Sequence, residues 1–68
     1  MMKKENFYES LIGKSKQDIL REMNIPLNDY QSNEWIYITG KNFFGFNKRL
    51  YLFFEKNHVY DFLSSTLA

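Results

Sequence analysis

Apolar residues recur at helical spacing in the first part of the chain. This stripe consists of Phe7, Tyr8, Leu11 and Ile12. The spacing predicts a helix over residues 4–12. Gly13 ends it, because glycine readily adopts the left-handed conformation found just past a helix C-terminus.

A second helix is predicted over residues 16–23. Its apolar stripe consists of Ile19, Leu20 and Met23. Ser15 has the hydroxyl of a good N-cap, and Asp18 stands where its carboxylate can reach back to the cap. Lys16 is expected to point toward solvent. Pro26 prevents the helix from continuing.

Alternation of side-chain character predicts three strands, over residues 34–40, 48–55 and 58–63. The last two strands flank Lys56 and Asn57, and asparagine tolerates the positive φ of a tight hairpin turn. Consecutive strands favour antiparallel pairing, which places the second strand in the middle of the sheet.

The order of elements predicts one α+β domain of 68 residues. Two N-terminal helices are expected to pack on one face of a three-stranded antiparallel β-meander. The predicted core consists of Leu11, Ile12, Ile19, Leu20, Met23, Trp35, Tyr37, Leu50, Leu52, Phe54 and Val59. Residues 64–68 are expected to fray.

A regular hairpin around Lys56–Asn57 pairs Phe53 with Tyr60 and Leu52 with Asp61. Asp61 is then the one polar member of an aliphatic face. We expect it near the end of the sheet. A bond to a helix N-terminus and a turn misplaced by one residue are the alternatives, since a one-residue slip moves every side chain to the other face.

The opposite sheet face is more apolar than a solvated face usually is. Its predicted residues are Ile36, Ile38, Tyr51, Phe53, Tyr60 and Phe62. A patch on the order of several hundred Å² is at or above what a monomer exposes. The pattern predicts a non-catalytic protein-interaction module of the small inhibitor, immunity or assembly type. Its partner is another protein or a second copy of itself. Cover by the 41–49 loop or the C-terminal tail is the alternative.

Residues 41–49 mix basic and aromatic side chains in a predicted loop. The aromatic members are Phe43, Phe44 and Phe46. Three roles are open for them: packing into the core, contact with a protein partner, and stacking on nucleic-acid bases while the basic residues hold phosphates. A nucleic-acid-binding accessory protein is therefore the alternative function. The net charge of +1 counts against it.

The amino-acid composition excludes several classes of protein. Apolar residues make up 44% of the chain and aromatic residues 19%, which excludes a disordered chain. The absence of cysteine excludes disulfides and thiolate metal sites. No stretch is long and apolar enough to span a membrane, and the basic start leads into no apolar segment. We expect a cytoplasmic protein, unless a leader has been removed.

No residue pattern predicts catalysis. Gly13-Lys14-Ser15 is similar to the end of a phosphate loop, but that motif needs a glycine where Tyr8 stands. His58 is the only histidine and is expected to face Glu55 beside the hairpin turn, as a surface pair. Without a nucleophile–base pair, a cofactor motif or a metal cluster, we predict no enzyme activity, no cofactor and no metal.

Short motifs between residues 10 and 60 occur in a recognisable order. They are Gly13-Lys14-Ser15, Ile19-Leu20, Pro26, Trp35-Ile36-Tyr37, Leu50-Tyr51-Leu52-Phe53-Phe54 and Val59. The series resembles the SmpA/OmlA (BamE-like) lipoprotein domain family. The resemblance implies two helices on a three-stranded antiparallel sheet and a general role in protein binding. Asn24-Ile25 stands where that family has Leu-Gly, and the lipobox cysteine is absent, so its outer-membrane assembly role is not implied.

Overall fold

Two short helices precede three antiparallel strands. The computed structural model describes residues 4–41 and 44–66. The elements are α1 (Lys4–Glu9), α2 (Lys16–Met23), β1 (Glu34–Lys41), β2 (Asn47–Glu55) and β3 (His58–Thr66). Strand β2 lies in the middle and pairs antiparallel with both neighbours. The α+β class, the antiparallel three-stranded sheet and the central second strand are confirmed.

The first helix ends earlier than the sequence predicts. After Glu9 the chain continues in tight turns, in which the Leu11 N–H donates to the Tyr8 carbonyl at 3.0 Å. Gly13 has a φ of 91° and donates its N–H to the Val59 carbonyl at 2.7 Å. Ile12 is 45% exposed, so its predicted place in the core is wrong. The tight turns replace the regular helical spacing that would have turned this side chain inward.

Helix α2 begins with the predicted capping box. The Ser15 hydroxyl accepts a hydrogen bond from the Asp18 N–H at 3.2 Å, and the Asp18 carboxylate accepts from the Ser15 N–H at 3.4 Å. Hydrogen bonding of the Asp18 carboxylate to the Ser15 side chain, and then to the Ser15 backbone N–H, lowers the pKa of Asp18 below its usual value. The reciprocal bonds satisfy N–H groups that the first turn of a helix otherwise leaves unpaired.

Lys16 is buried, contrary to the predicted outward orientation. Its ammonium donates to the carbonyls of Tyr30 and Ser32 at 2.7 and 3.0 Å. It also lies 5.3, 5.4 and 5.3 Å from the ring centroids of Tyr30, Trp35 and Phe54. Carbonyl oxygens and aromatic faces both attract a cation, so the buried charge is stabilised without a carboxylate. The side chain joins the start of α2 to the loop before β1.

The β2–β3 hairpin has the predicted turn but not the predicted register. Lys56 and Asn57 have φ values of 52° and 66°, the positive values of a tight hairpin turn. A bulge then shifts the pairing, so that Phe53 lies opposite Asp61 and Tyr60 is the extra residue. The predicted pairing of Phe53 with Tyr60 is wrong. Asp61 is exposed on the face opposite the one predicted, and it does not lie at the end of the strand.

All three strands are longer than predicted. Lys41 pairs with Asn47, so both strands extend into the predicted 41–49 loop. Lys48 pairs with Thr66, so β3 continues through part of the segment predicted to fray. Both extensions complete a ladder along β2, because each added residue satisfies backbone groups of the central strand.

One hydrophobic cluster draws on the helices and on one face of the sheet. Its buried members are Tyr8, Leu11, Ile19, Trp35, Tyr37, Leu50, Leu52, Phe54 and Val59. Leu20 and Met23, both predicted core residues, pack against it with partial burial. The Tyr37 hydroxyl donates to the Asn24 carbonyl at 2.9 Å, and burial raises the pKa of Tyr37 to about 12. Tyr8 is the buried member of this cluster that is absent from the predicted core.

Candidate interaction surface

The sheet has a second face, opposite the buried side chains, which we call the outer face. Side chains alternate between faces along a strand, so the register defines its members. Three cross-strand rows follow, namely Glu34–Phe53–Asp61, Ile36–Tyr51–Leu63 and Ile38–Arg49–Ser65. The middle row is entirely apolar, apart from the hydroxyl of Tyr51.

The outer face exposes large apolar side chains. Ile38 is 42% exposed, Tyr60 57% and Leu63 54%. Ile36, Tyr51 and Phe53 are half-buried. Five of the six residues predicted for this surface are therefore accessible on or beside the outer face, with Tyr60 at the bulge.

Phe62 is the exception, and its predicted place on this surface is wrong. The bulge sets Phe62 opposite Leu52, and the side chain packs against the core. Its ring meets that of Tyr8 edge-on, with centroids 5.9 Å apart. Leu63 takes its place on the outer face. The signal for this exchange is present in the sequence, since a regular register puts Asp61 among aliphatic side chains.

The structure describes two of the three aromatic residues that the 41–49 loop is predicted to add to this surface. Phe44 is 79% exposed and Phe46 is 44% exposed. Phe43 lies outside the described residues. Phe44 and Phe46 precede β2, so no strand register places them on the outer face.

Charge is divided between the two ends of the outer face. Glu34, Glu55 and Asp61 lie toward the β2–β3 turn. Lys41 and Arg49 lie toward the opposite end. The face is therefore acidic at one end, apolar in the middle and basic at the other end.

An open depression of about 360 Å³ lies at the acidic end. It is lined by Asn33, Glu34, Phe53, Phe54, Glu55 and Tyr60. At the basic end, the Arg49 side chain is half-buried, and its buried Nε has no hydrogen-bond partner within the described part of the chain. Sequence reasoning did not single out Arg49 as part of this surface, because the predicted surface consists of apolar side chains; alternation with Tyr51 in the predicted strand 48–55 is the signal that could have found it.

The backbone edges of the sheet are partly covered by the chain itself. On β1, Ile36 accepts from the Leu27 N–H at 2.9 Å and donates to the Asn28 side chain at 3.1 Å. On β3, Val59 exchanges bonds of 2.7 and 3.0 Å with Gly13 and Lys14. These contacts leave the outer face, rather than the edges, as the more accessible part of the sheet.

Side chains that could bind a metal do not gather into a site in residues 4–41 and 44–66. In these ranges no three His, Cys, Asp or Glu residues come together as a potential metal site. His58 is exposed, and its Nδ1 lies 3.0 Å from the Lys56 carbonyl. The same ranges contain no helix long and apolar enough to cross a membrane.

No known protein family, curated protein or solved structure matches this chain. The resemblance to the SmpA/OmlA family therefore stays a prediction.

Proposed function

We propose that this protein is a non-catalytic interaction module that binds another polypeptide through the outer face. The observation that carries the proposal is the apolar middle row, Ile36–Tyr51–Leu63, with exposed Ile38 and Tyr60 beside it. Exposed apolar patches rimmed by polar residues mark protein–protein interaction sites.

The fold supports this assignment if the helices form a layer over one face of the sheet. Side chains from α1 and α2 join the cluster around Trp35 and Leu52, on the face opposite Tyr51. One helical layer covers one face, so the outer face is left for a partner. The same two-layer arrangement is what the SmpA/OmlA resemblance implies.

The large apolar side chains of the outer face are sufficient for a modest free energy of binding. Burying a large apolar side chain contributes about 1.5–3 kcal/mol before the cost of association. Phe53, Tyr51 and Tyr60 are of the aromatic type enriched at the centres of interfaces. A few such contacts are enough for a specific complex, provided that the acidic and basic ends of the face are matched by the partner.

Nucleic-acid binding by the β1–β2 hairpin is the second candidate. Phe44 is 79% exposed, and Lys41, Lys48 and Arg49 lie close to it in sequence. Exposed aromatic rings beside basic side chains are typical of single-strand binding grooves. The net charge of +1 makes this candidate the weaker one.

Affinity capture with matched baits tests the proposal. The baits are the wild-type protein, Phe53→Thr with Tyr60→Thr, and Leu27→Thr as a control. Leu27 is 67% exposed and belongs to the loop before β1 rather than to the sheet. Threonine keeps a high strand propensity while it removes the aromatic rings. All baits are first shown to be folded by circular dichroism.

We expect the wild-type and Leu27→Thr baits to retain a partner protein and the double variant to lose it. The amount of protein retained should change little between low and high salt. Apolar contacts resist salt, whereas phosphate contacts weaken steeply with it. Capture of nucleic acid that is released by salt and unaffected by the double variant would contradict the proposal and favour the second candidate.

A further inference from the structure

The distribution of charge on the outer face indicates which molecule binds there. This inference rests on the proposed function. We propose that the face binds a second copy of this chain in a two-fold dimer. In this dimer the two sheets lie face to face with their strands running in opposite directions. Arg49 of each copy enters the acidic depression of the other.

Tyr51 is the middle one of the outer-face residues of the central strand. These residues are Asn47, Arg49, Tyr51, Phe53 and Glu55. A two-fold axis that lies along the middle row superimposes Tyr51 on its own copy. It also sets Arg49 over Phe53 of the second copy. A self-complementary surface of this type is what an isologous dimer requires.

Charge selects this orientation of the axis. When the strands run in opposite directions, the acidic end with Glu34 and Asp61 faces the basic end with Lys41 and Arg49 of the second copy. An axis along the strands would instead set acidic end against acidic end. Like charges opposed across an interface are unfavourable, so only the first arrangement is complementary.

The depression suits an arginine side chain. Its lining includes two aromatic residues, Phe53 and Tyr60, and two acidic residues, Glu34 and Glu55. A guanidinium stacks on aromatic faces and bonds carboxylates in a planar fork. The Arg49 Nε is covered by its own chain and finds no acceptor within the described residues. Movement of the side chain into the depression of the second copy would exchange this position for one with aromatic rings and carboxylates beside it.

The area indicates a weak dimer. Three strands spaced about 4.8 Å apart, with eight or nine residues each at about 3.3 Å per residue, give a face of roughly 400 Å² per copy. A total of roughly 800 Å² is below the usual range of stable specific interfaces, so we expect dissociation at micromolar concentrations or above. Monomer and dimer should therefore exchange over concentrations that are easily reached with purified protein.

Charge-swap complementation followed by sedimentation equilibrium tests the inference. One variant carries Arg49→Glu, and the other carries Glu34→Lys with Glu55→Lys. Each variant should be monomeric alone, because each opposes like charges on both sides of the two-fold axis. An equimolar mixture should form a heterodimer. On one side of this heterodimer, the carboxylate introduced by Arg49→Glu meets the ammonium groups introduced by Glu34→Lys and Glu55→Lys. On the other side, Arg49 of the second variant meets Glu34 and Glu55 of the first. Arg49→Gln is the milder variant if Arg49→Glu does not fold, and it should weaken dimerisation about tenfold.

The outcomes separate the inference from the proposed function. A folded wild-type protein that stays monomeric up to about 1 mM overturns the second copy as occupant, while the outer face remains a candidate surface for another protein. A wild-type dimer that is unchanged by either charge variant also overturns it. Loss of folding in the Phe53→Thr, Tyr60→Thr variant, by contrast, would show that the face is core and would overturn the proposed function itself.

Discussion

Phe53 of the central strand lies opposite Asp61 of β3, and Tyr60 bulges between this pair and the pair formed by Phe54 and Val59. The extra residue changes which side chains of β3 face the core. It brings Asp61 to the outer face and Phe62 to the core, so the acidic end of the outer face depends on the bulge.

Alanine substitutions at Asp61 and Phe62 test the bulged register. Phe62→Ala should lower the free energy of unfolding by roughly 2–3 kcal/mol, because its partly buried ring packs on Tyr8. Asp61→Ala should change it by about 0.5 kcal/mol, as exposed sites usually do. Urea unfolding measures both values. The reverse order of effects would indicate the regular register.

Leu52 lies in the core, on the middle strand and with no exposed surface. Leu52→Ala should cost about 2–5 kcal/mol, because it removes buried methyl groups and leaves a cavity. Leu63→Ala is the matched control on the outer face, where Leu63 is 54% exposed, and should cost less than about 1 kcal/mol. Similar costs at the two sites would contradict the assignment of the faces.

The buried ammonium of Lys16 should contribute to stability. Lys16→Met keeps the length of the side chain but removes the ammonium that donates to the carbonyls of Tyr30 and Ser32. The Tyr30 carbonyl keeps the Trp35 indole N–H as a donor at 3.1 Å, so we expect a loss of about 1–3 kcal/mol, mainly from the Ser32 carbonyl and the ring contacts. Lys14→Met is the control, since Lys14 forms an ion pair of 3.6 Å with Glu22 near the surface. It should change the free energy of unfolding by no more than about 0.5 kcal/mol. Thermal unfolding of both variants provides the comparison.

Tyr37 should make the protein less stable at high pH. Burial raises its pKa to about 12, above the ordinary value of 10.0, so the folded state favours the neutral phenol. Below about pH 10 the neutral Tyr37 phenol makes its full contribution to the free energy of unfolding. This contribution is lost as the pH rises through 12, because Tyr37 ionises at a lower pH in the unfolded chain than in the folded one. The fall amounts to at most about 2–3 kcal/mol. Tyr37→Phe should show a shallower fall between pH 10 and 12, and identical pH profiles would contradict this account.

Much of the fold is predictable because several local signals agree. The capping box at Ser15 and Asp18 and the turn at Lys56–Asn57 both act within a few residues, so sequence spacing is enough to locate them. The alternation around Leu52 identifies the core face of β2 for the same reason. Agreement of turn chemistry and side-chain pattern makes the α+β class predictable.

The features that sequence reasoning missed depend on tertiary contacts. The bulge at Tyr60 exchanges Asp61 for Phe62, which requires knowledge of how β3 fits the core. Burial of Lys16 depends on two carbonyls and three rings that come together only in the folded chain. Arg49 falls both in the predicted 41–49 loop and in the predicted strand 48–55. The sequence predicts the candidate surface in its apolar part but not in its charges.

The central claim is that the outer face is an association surface rather than a second core. Its most direct test is the free energy of unfolding of the Phe53→Thr, Tyr60→Thr variant, measured in urea at low protein concentration, where association adds little stability. We predict a loss of no more than about 2 kcal/mol, with the slope of the transition unchanged. A cooperative loss as large as that of Leu52→Ala would show that these rings belong to the core and would contradict the claim.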